Sequence, residues 1–356
     1  MDSKTASLDF AIIGHQDSWQ NITLFINGIR NVEYEKLSTD KIKDIFGFIP
    51  PRAIFNIRVR SNTGDEIKGV YIETFIDPDQ LEVGHLRKNI AKVSKAINVA
   101  EKLGAKIVTL GGFTSIVLEG NIGAYVNHTL KLTTGNTLTT AYIVKGIEKA
   151  IQEKDLKLNG CKILIIGATG DIGLACTHYL KDKAKQLLLC ARNKKRLKQL
   201  SIELDDQGFN SIFDTSLNNL IPKADIIISV ASSKNIQIAE CKPNSIICDA
   251  GYPKNLEEKI EKRINVNLFH GGMGAIGGGY DFNPDYKPYF YNYPSPNIAH
   301  GCVLEAVVLA FERKYENYSF GKGNIKQDKI EEIYNLSLKH GIELAPFYNT
   351  QGLLKK

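Results

Sequence analysis

Three glycines, Gly167, Gly170 and Gly173, stand at three-residue intervals directly after the apolar, β-branched run Ile163–Ile166. Such a run reads as a strand buried on both faces, and Leu174–Asp182 reads as a helix. A strand, a glycine turn and a helix start together make a phosphate site. Glycine lets the backbone close on a pyrophosphate, and the helix supplies free N–H groups and a positive dipole end. The turn therefore nominates Gly167, Thr169, Gly170, Asp171, Ile172 and Gly173 as dinucleotide contacts.

A second apolar run, Gln186–Cys190, ends in Ala191-Arg192-Asn193. A site for NAD places Asp or Glu here, on the ribose 2′-hydroxyl. This chain has Arg192 instead, with Asn193 and then Lys194, Lys195 and Arg196 beside it. A guanidinium fork suits a 2′-phosphate, so the pattern points to NADPH, with Arg192, Asn193 and Arg196 holding it. A solvated basic helix start is the plain alternative. The strand read over Ser245–Cys248 runs into Asp249-Ala250-Gly251-Tyr252-Pro253, and Gly251 is counted with the cofactor contacts.

Cys302 follows Asn297-Ile298-Ala299-His300-Gly301, near the start of a helix read over Ile298–Tyr315. A helix start or a neighbouring imidazolium lowers a thiol pKa and makes a nucleophile. A buried cysteine filling a helix interface fits the position too. His15 ends the strand Leu8–Gly14 and could move a proton or sit satisfied at the surface. Glu305, three residues after Cys302, could orient a donor or close a helical turn. Gly111–Ser115 and Thr133–Thr137 are clusters of small and hydroxyl residues at element ends. Gly112, Phe113, Thr114, Ser115, Thr134 and Asn136 could offer donors to a thioester oxygen, or could serve ordinary turns and caps.

The elements that must carry these groups describe an α/β protein. Ile54–Arg60, a turn at Asn62-Thr63-Gly64 and Lys68–Phe75 read as a hairpin. Trp19–Ile29, Leu81–Leu103, Leu138–Glu153 and Gln327–His340 read as helices, and Ile107–Leu110, Ile226–Val230 and Ser245–Cys248 as strands. His270–Tyr280 holds six glycines and reads either as a surface loop or as a close approach to a flat ligand; residues 281–296 read as irregular. The expected layout is an N-terminal α/β substrate domain (1–132), a central Rossmann-like doubly wound domain (133–276) entered through a linking helix, and a C-terminal helical segment (277–356) carrying Cys302. Residues 1–7 read as a disordered tail.

With 356 residues, a net charge of +6 and no long basic block, the composition is that of a globular protein with no nucleic-acid signature. No run of eighteen apolar residues and no signal-peptide core is present, which points to the cytoplasm and to no transmembrane segment. The six cysteines show neither a C-x-x-C pair nor zinc-finger spacing, and no metal site is expected.

Taken in order, several segments resemble the cyanobacterial long-chain acyl-(acyl carrier protein) reductases. They are Ile13-Gly14-His15, Leu110–Val117, Thr133–Thr137, Gly167–Gly173, Ala191-Arg192-Asn193, Gly251–Leu256 and Cys302-Val303-Leu304-Glu305-Ala306. The resemblance runs from about residue 10 to beyond 340. It implies NADPH-dependent reduction of a fatty acyl thioester to the aldehyde, with the acyl group held on Cys302. It further implies delivery by an acyl carrier protein, or as acyl-CoA, and onward passage of the aldehyde to an aldehyde-deformylating oxygenase. Residues 273–296, Ala299-His300-Gly301 and residues 16–50 depart from the family pattern, which leaves chain length and carrier open. Two other readings stand beside this one: a shikimate-dehydrogenase-like oxidoreductase acting on a small alcohol or ketone, and a non-catalytic NADP(H)-binding sensor.

Overall fold

A computed structural model of the chain describes residues 7–30, 35–81, 85–115, 129–233, 236–238, 241–256, 266–321 and 323–354. Residues 1–6 of the tail, and Ile116 and Val117 of the family-like segment, lie outside these.

In chain order the first half contains β1 (Phe10–Gly14), α1 (Trp19–Ile29), α2 (Thr39–Phe46), β2 (Arg52–Arg60), β3 (Glu66–Glu73), α3 (Leu86–Lys102), β4 (Ile107–Leu110) and β5 (Lys131–Thr133). The linking helix α4 (Asn136–Gln152) leads into β6 (Lys162–Ile166), α5 (Asp171–Leu180), β7 (Gln186–Cys190), α6 (Lys194–Asp206), β8 (Ser211–Asp214), β9 (Ile226–Ser229), β10 (Ser245–Asp249) and β11 (Val266–His270). After these come β12 (Met273–Ile276), β13 (Tyr280–Asn283), α7 (Lys287–Phe290), β14 (Ile298–His300), α8 (Gly301–Phe311), α9 (Gln327–Lys339) and the short strands β15 (Ile342–Leu344), β16 (Tyr348–Asn349) and β17 (Gly352–Leu353).

The second sheet runs β11-β10-β9-β6-β7-β8, all parallel. Counted within that half, the order is 3-2-1-4-5-6, the doubly wound arrangement whose ligand crevice lies beyond the carboxyl ends of its first and fourth strands. Its strands are apolar on both faces because helices cover both: Ile163, Leu164 and Ile165 are fully buried. The first sheet runs β13-β2-β3-β1-β4-β5, with β1, β3, β4 and β5 parallel and the β2–β3 hairpin antiparallel at one edge. On α3, Val93, Ala96, Ile97 and Ala100 recur at helical spacing and are buried under this sheet.

Three sequence expectations change. The glycine-rich stretch 270–280 is not a surface loop, because Met273–Ile276 within it forms β12, buried between β14 and β15, while Gly271 and Gly272 border a cavity. Its glycines admit close packing: a Cβ on Gly278 would fall 2.1 Å from the carbonyl oxygen of Arg60, and one on Gly274 2.7 Å from Leu304 and Tyr142. The segment 277–356, expected to be helical, also supplies five strands, of which β13 completes the first sheet against β2. The helix expected from Ile298 begins at Gly301, because Ile298–His300 pairs with β12 first. On α5 the helix starts at Asp171, directly on the glycine turn.

Candidate active site

One cavity of about 1600 Å³ lies where the carboxyl ends of the two sheets face each other. Gly14 and His15 reach it from β1, and Gly111 and Gly112 from β4. Gly167–Ile172 (Ala168 excepted) and Ala191–Asn193 reach it from β6 and β7, and Gly251 and Tyr252 from beyond β10. The start of α8 closes it with Cys302.

The glycine turn has the form a phosphate needs. Gly167 takes φ +91°, in the left-handed region, and a Cβ there would meet the carbonyl of Val230 at 2.8 Å. Gly173 is turned away from the cavity: its added Cβ would come 2.1 Å from the carbonyl oxygen of Gly167. At Gly170 the contact is only 3.2 Å, to that same oxygen, and its Cα borders the cavity. No side chain caps the start of α5, so its N–H groups face the cavity uncovered. The two positions therefore separate by experiment. Gly170→Val is expected to fold and to weaken dinucleotide binding by tenfold or more. Gly173→Val is expected to lower thermal stability, because the backbone itself must move. Calorimetric titration and thermal melting read the two outcomes.

At the end of β7, Arg192 reaches Ser232 Oγ (3.0 Å) and borders the cavity together with Arg196. Asn193 caps α6 by accepting from the Arg196 backbone N–H at 3.0 Å. Asp171 is engaged differently from a plain cofactor contact. It accepts from Asn136 Nδ2 (2.9 Å) and from the Gly323 N–H (3.1 Å), tying α5 to the start of α4. Gly251 packs on Asn255, and Asn255 in turn bonds Ser229, Ala231 and Ser233. Asn255 lies in the family-like segment Gly251–Leu256 but had no role assigned there, and Ser232 stands in no recognisable spacing.

Cys302 is half-buried and sits in the first turn of α8. A Cβ on Gly111 would lie 4.0 Å from its sulfur. The start of α4 is pressed onto the same backbone: Gly135, at φ +70°, has room for no side chain, since its Cβ would come 2.1 Å from Cys302 Cα. The expected low thiol pKa is not what the surroundings produce. Burial pushes the Cys302 thiol up to about 11, and the backbone N–H groups of Gly112 and Val303 pull it down only in part. Nor is His300 an imidazolium partner, because burial drives its pKa down to about 3 and leaves the ring neutral.

The remaining candidates divide by what they touch. His15 Nε2 accepts from the Phe113 N–H (3.0 Å), which leaves the ring proton on Nδ1, facing the Gln16 carbonyl (3.2 Å). The ring thus braces Gly112 and Phe113 at the cavity wall. Thr114 and Ser115 turn their hydroxyls back onto the carbonyls of Gly111 and Gly112, and Thr134 donates to the Ser319 carbonyl. Glu305 is fully buried and lies off the cavity. It accepts from the Thr133 hydroxyl and, at 2.8 Å, from the Leu138 N–H in the first turn of α4, with burial raising its pKa.

A broad apolar wall extends away from Cys302. It consists of the cavity-facing side of the first sheet: Phe10 and Ile12 on β1, Phe55, Ile57 and Val59 on β2, and Tyr280 and Phe282 on β13, with Leu304 and Val307 of α8 opposite. Alternation along each strand puts these residues on one face. Phe10 lies about 13 Å along β1 from Gly14, its ring resting on Gly69, where a Cβ would come 2.3 Å from it.

Comparison with known proteins places this arrangement. Over 346 residues the chain is 31% identical to the long-chain acyl-[acyl-carrier-protein] reductase of Synechococcus elongatus, covering 94% of this chain and 98% of that one. The chain belongs to the long-chain acyl-[acyl-carrier-protein] reductase family. Membership makes it a reductase that works with a nicotinamide cofactor. Residues 148–270 match the shikimate / quinate 5-dehydrogenase family, which is the dinucleotide half. The aminotransferase PigE of a Serratia species is 26% identical over 298 residues, 81% of this chain and 34% of that one. Among solved structures, L-tryptophan dehydrogenase from Nostoc punctiforme aligns with a TM-score of 0.40 at 12% identity, over 95% of this chain and 81% of that one. No helix among the described residues is long and apolar enough to cross a membrane. Among the same residues no group of three or more His, Cys, Asp or Glu is placed to hold a metal ion.

Proposed function

We propose that this chain reduces a fatty acyl thioester to the aldehyde with NADPH, by way of an acyl group carried on Cys302. One observation carries the reading: the thiol, the uncapped glycine turn and the apolar wall open on one cavity. NADPH, when bound, supplies the hydride that turns the acyl group into aldehyde. Its pyrophosphate suits the glycine turn at the start of α5, and its 2′-phosphate suits Arg192, which stands where a NAD site would carry an acid, together with Arg196 in the first turn of α6.

The other steps belong to the chain's own residues. Cys302 attacks the thioester carbon and expels the carrier thiol. Because burial keeps the thiol protonated at neutral pH, attack must coincide with proton removal. The N–H groups of Gly112 and Val303 beside the sulfur stabilise negative charge there. The apolar wall takes the acyl chain, at about 0.8 kcal/mol for each methylene buried. Glu305 is a positioning residue that locks α8 to α4 and so holds Cys302 in register. We extend the reading to an acyl carrier protein as donor and to an aldehyde-deformylating oxygenase as consumer of the product.

The test is intact-protein mass spectrometry after incubation with acyl thioesters of both carriers, without cofactor. An acyl adduct on the Cys302 peptide, released as aldehyde on addition of NADPH, is the expected result. Absence of both adduct and aldehyde with every thioester would return the chain to the small-substrate dehydrogenase reading. The cofactor assignment has its own check: Arg192→Asp is expected to lose about 1.5–3 kcal/mol of NADPH affinity and to bind NADH as well or better. Equal affinity of the unaltered protein for both cofactors would overturn it.

A further inference from the structure

Thioester exchange at a protonated thiol needs a group that takes the proton and returns it. The obvious ones are occupied. His15 has both ring nitrogens in hydrogen bonds, Glu305 faces away from the cavity, and burial drives the His300 pKa down to about 3, which makes that ring too weak a base to hold the proton. One buried carboxyl beside the cavity has no part in the chemistry described so far. Glu73, the last residue of β3, is fully buried, and among the described residues it makes no ion pair. Its Oε2 accepts from the Tyr71 hydroxyl (2.9 Å) and from Gln16 Nε2 (3.0 Å), and its Oε1 from the Phe75 N–H (3.1 Å).

Tyr71 and Gln16 both line the cavity. The Tyr71 hydroxyl rests on Gly14, where a Cβ would come 2.6 Å from it. One residue earlier on β1, the carbonyl of Ile13 faces Gly111, whose added Cβ would lie 3.7 Å from that oxygen and 4.0 Å from Cys302 Sγ. Tyrosine hydroxyl and cysteine thiol therefore border the same stretch of cavity, on either side of the end of β1. Tyr252, across from them, feels charge on both Cys302 and Glu73.

We propose that Tyr71, backed by Glu73, carries the Cys302 proton during acyl transfer. This rests on the thioester reading above. As the Cys302 sulfur bonds to the acyl carbon, the Tyr71 oxygen takes the thiol proton and passes its own to the Glu73 carboxylate. As the tetrahedral adduct collapses and the bond to the carrier sulfur breaks, the two protons shift back and the departing thiolate leaves as a thiol. No electrons are gained or lost, and the relay ends as it began. Gln16 holds the pair in place by donating to Glu73 Oε2 (3.0 Å) and, more weakly, to the Tyr71 oxygen (3.4 Å). Glu73 is the positioning residue and proton store.

The pH dependence follows from the groups around Glu73. Burial raises its pKa to about 7, while the bonds from Gln16, Tyr71 and the backbone hold it from rising further. Among the described residues the other ionisable groups coupled to it by charge are Tyr71 on its own strand, Lys92 of α3 and Tyr252 from beyond β10. Arg52, its register partner on β2, is turned over the Phe75 ring.

The experiment measures the rate of acyl transfer from hexadecanoyl-coenzyme A and hexadecanoyl-acyl carrier protein to Cys302, without cofactor, by intact mass between about pH 5.5 and 9. The unaltered chain is expected to accelerate as Glu73 loses its proton near pH 7 and then to level off. Glu73→Gln, which keeps the shape, is expected to lose that inflexion, to slow about a hundredfold at pH 7.5 and to gain tenfold per pH unit as the thiol itself ionises. Tyr71→Phe is expected to do the same while melting within a few degrees of the parent, which separates chemistry from folding. A Glu73→Gln protein that keeps the inflexion near pH 7, or a Tyr71→Phe protein that transfers at the parental rate, overturns the relay. Absence of any adduct on the unaltered chain, with either carrier, removes the thioester reading itself.

Discussion

The Cys302→Ser protein is expected to form no acyl adduct and to release no aldehyde, while binding NADPH as tightly as its parent. A serine hydroxyl in this pocket has no accessible anion and is a far weaker nucleophile toward a thioester. The loss should be roughly a thousandfold or more in turnover, about 4 kcal/mol of barrier. Binding should survive because the glycine turn belongs to β6 and α5 and takes nothing from α8. Cys190 is the informative control. It also borders the cavity, at the end of β7, but burial holds its thiol at about 11 and it points to the Thr215 carbonyl. Cys190→Ala should therefore leave the adduct intact. Aldehyde formation at near-parental rate by Cys302→Ser would mean direct reduction of a bound thioester and would end the covalent reading.

Gly135→Ala is expected to damage the same step without touching a reacting atom. Its Cβ would sit 2.1 Å from Cys302 Cα and 2.3 Å from the Cys302 carbonyl oxygen, on a backbone held at φ +70°. A left-handed backbone costs alanine about 1–2 kcal/mol, and forcing the two helix starts apart adds about 1–3 kcal/mol. Stability should fall measurably in thermal melting, and acyl transfer should fall much further, because the displaced element is the one carrying the thiol. Asn136→Ala at the next position removes only the bond to Asp171 and should be mild by comparison. A Gly135→Ala protein with parental melting and parental acyl transfer would show that the two helix starts are not in the contact described.

What could be read from the chain alone was local. The glycine turn, the buried run Ile163–Ile166 and the substitution of Arg192 for an acid all lie within about thirty residues and need no partner to be recognised. The hairpin of β2 and β3 announced itself by alternation and by Asn62-Thr63-Gly64. The short strands β5, β12, β14 and β15 did not, since three or four residues carry no period and their partners are far away in sequence. Cys302 stood out by family resemblance, and its position near a helix start suggested an acidic thiol. The opposite direction emerges because desolvation depends on what the fold closes over the sulfur, which no spacing records. Glu73 escaped notice for the same reason. In the sequence it is one polar residue closing an alternating strand, and only the folding of Gln16 and Tyr71 onto it gives it a role.

The pairing of β13 with β2 bears on how the chain is made. Val59 and Tyr280 are direct partners, so more than two hundred residues must leave the ribosome between them. Until then β2 is the bare edge of a growing sheet, open to pairing with a neighbouring nascent chain. Its outward charges oppose such pairing. Arg52 and Arg60 are exposed on it, and like charges on two such edges repel; Arg58, exposed too, already pairs with Glu66 of β3. When Tyr280–Asn283 arrives, Arg60 meets Asp281 at 2.7 Å, and the charge that guarded the edge becomes part of its closure. Truncated chains ending before residue 280 should accordingly aggregate more readily in high salt, where that repulsion is screened, than the full chain does.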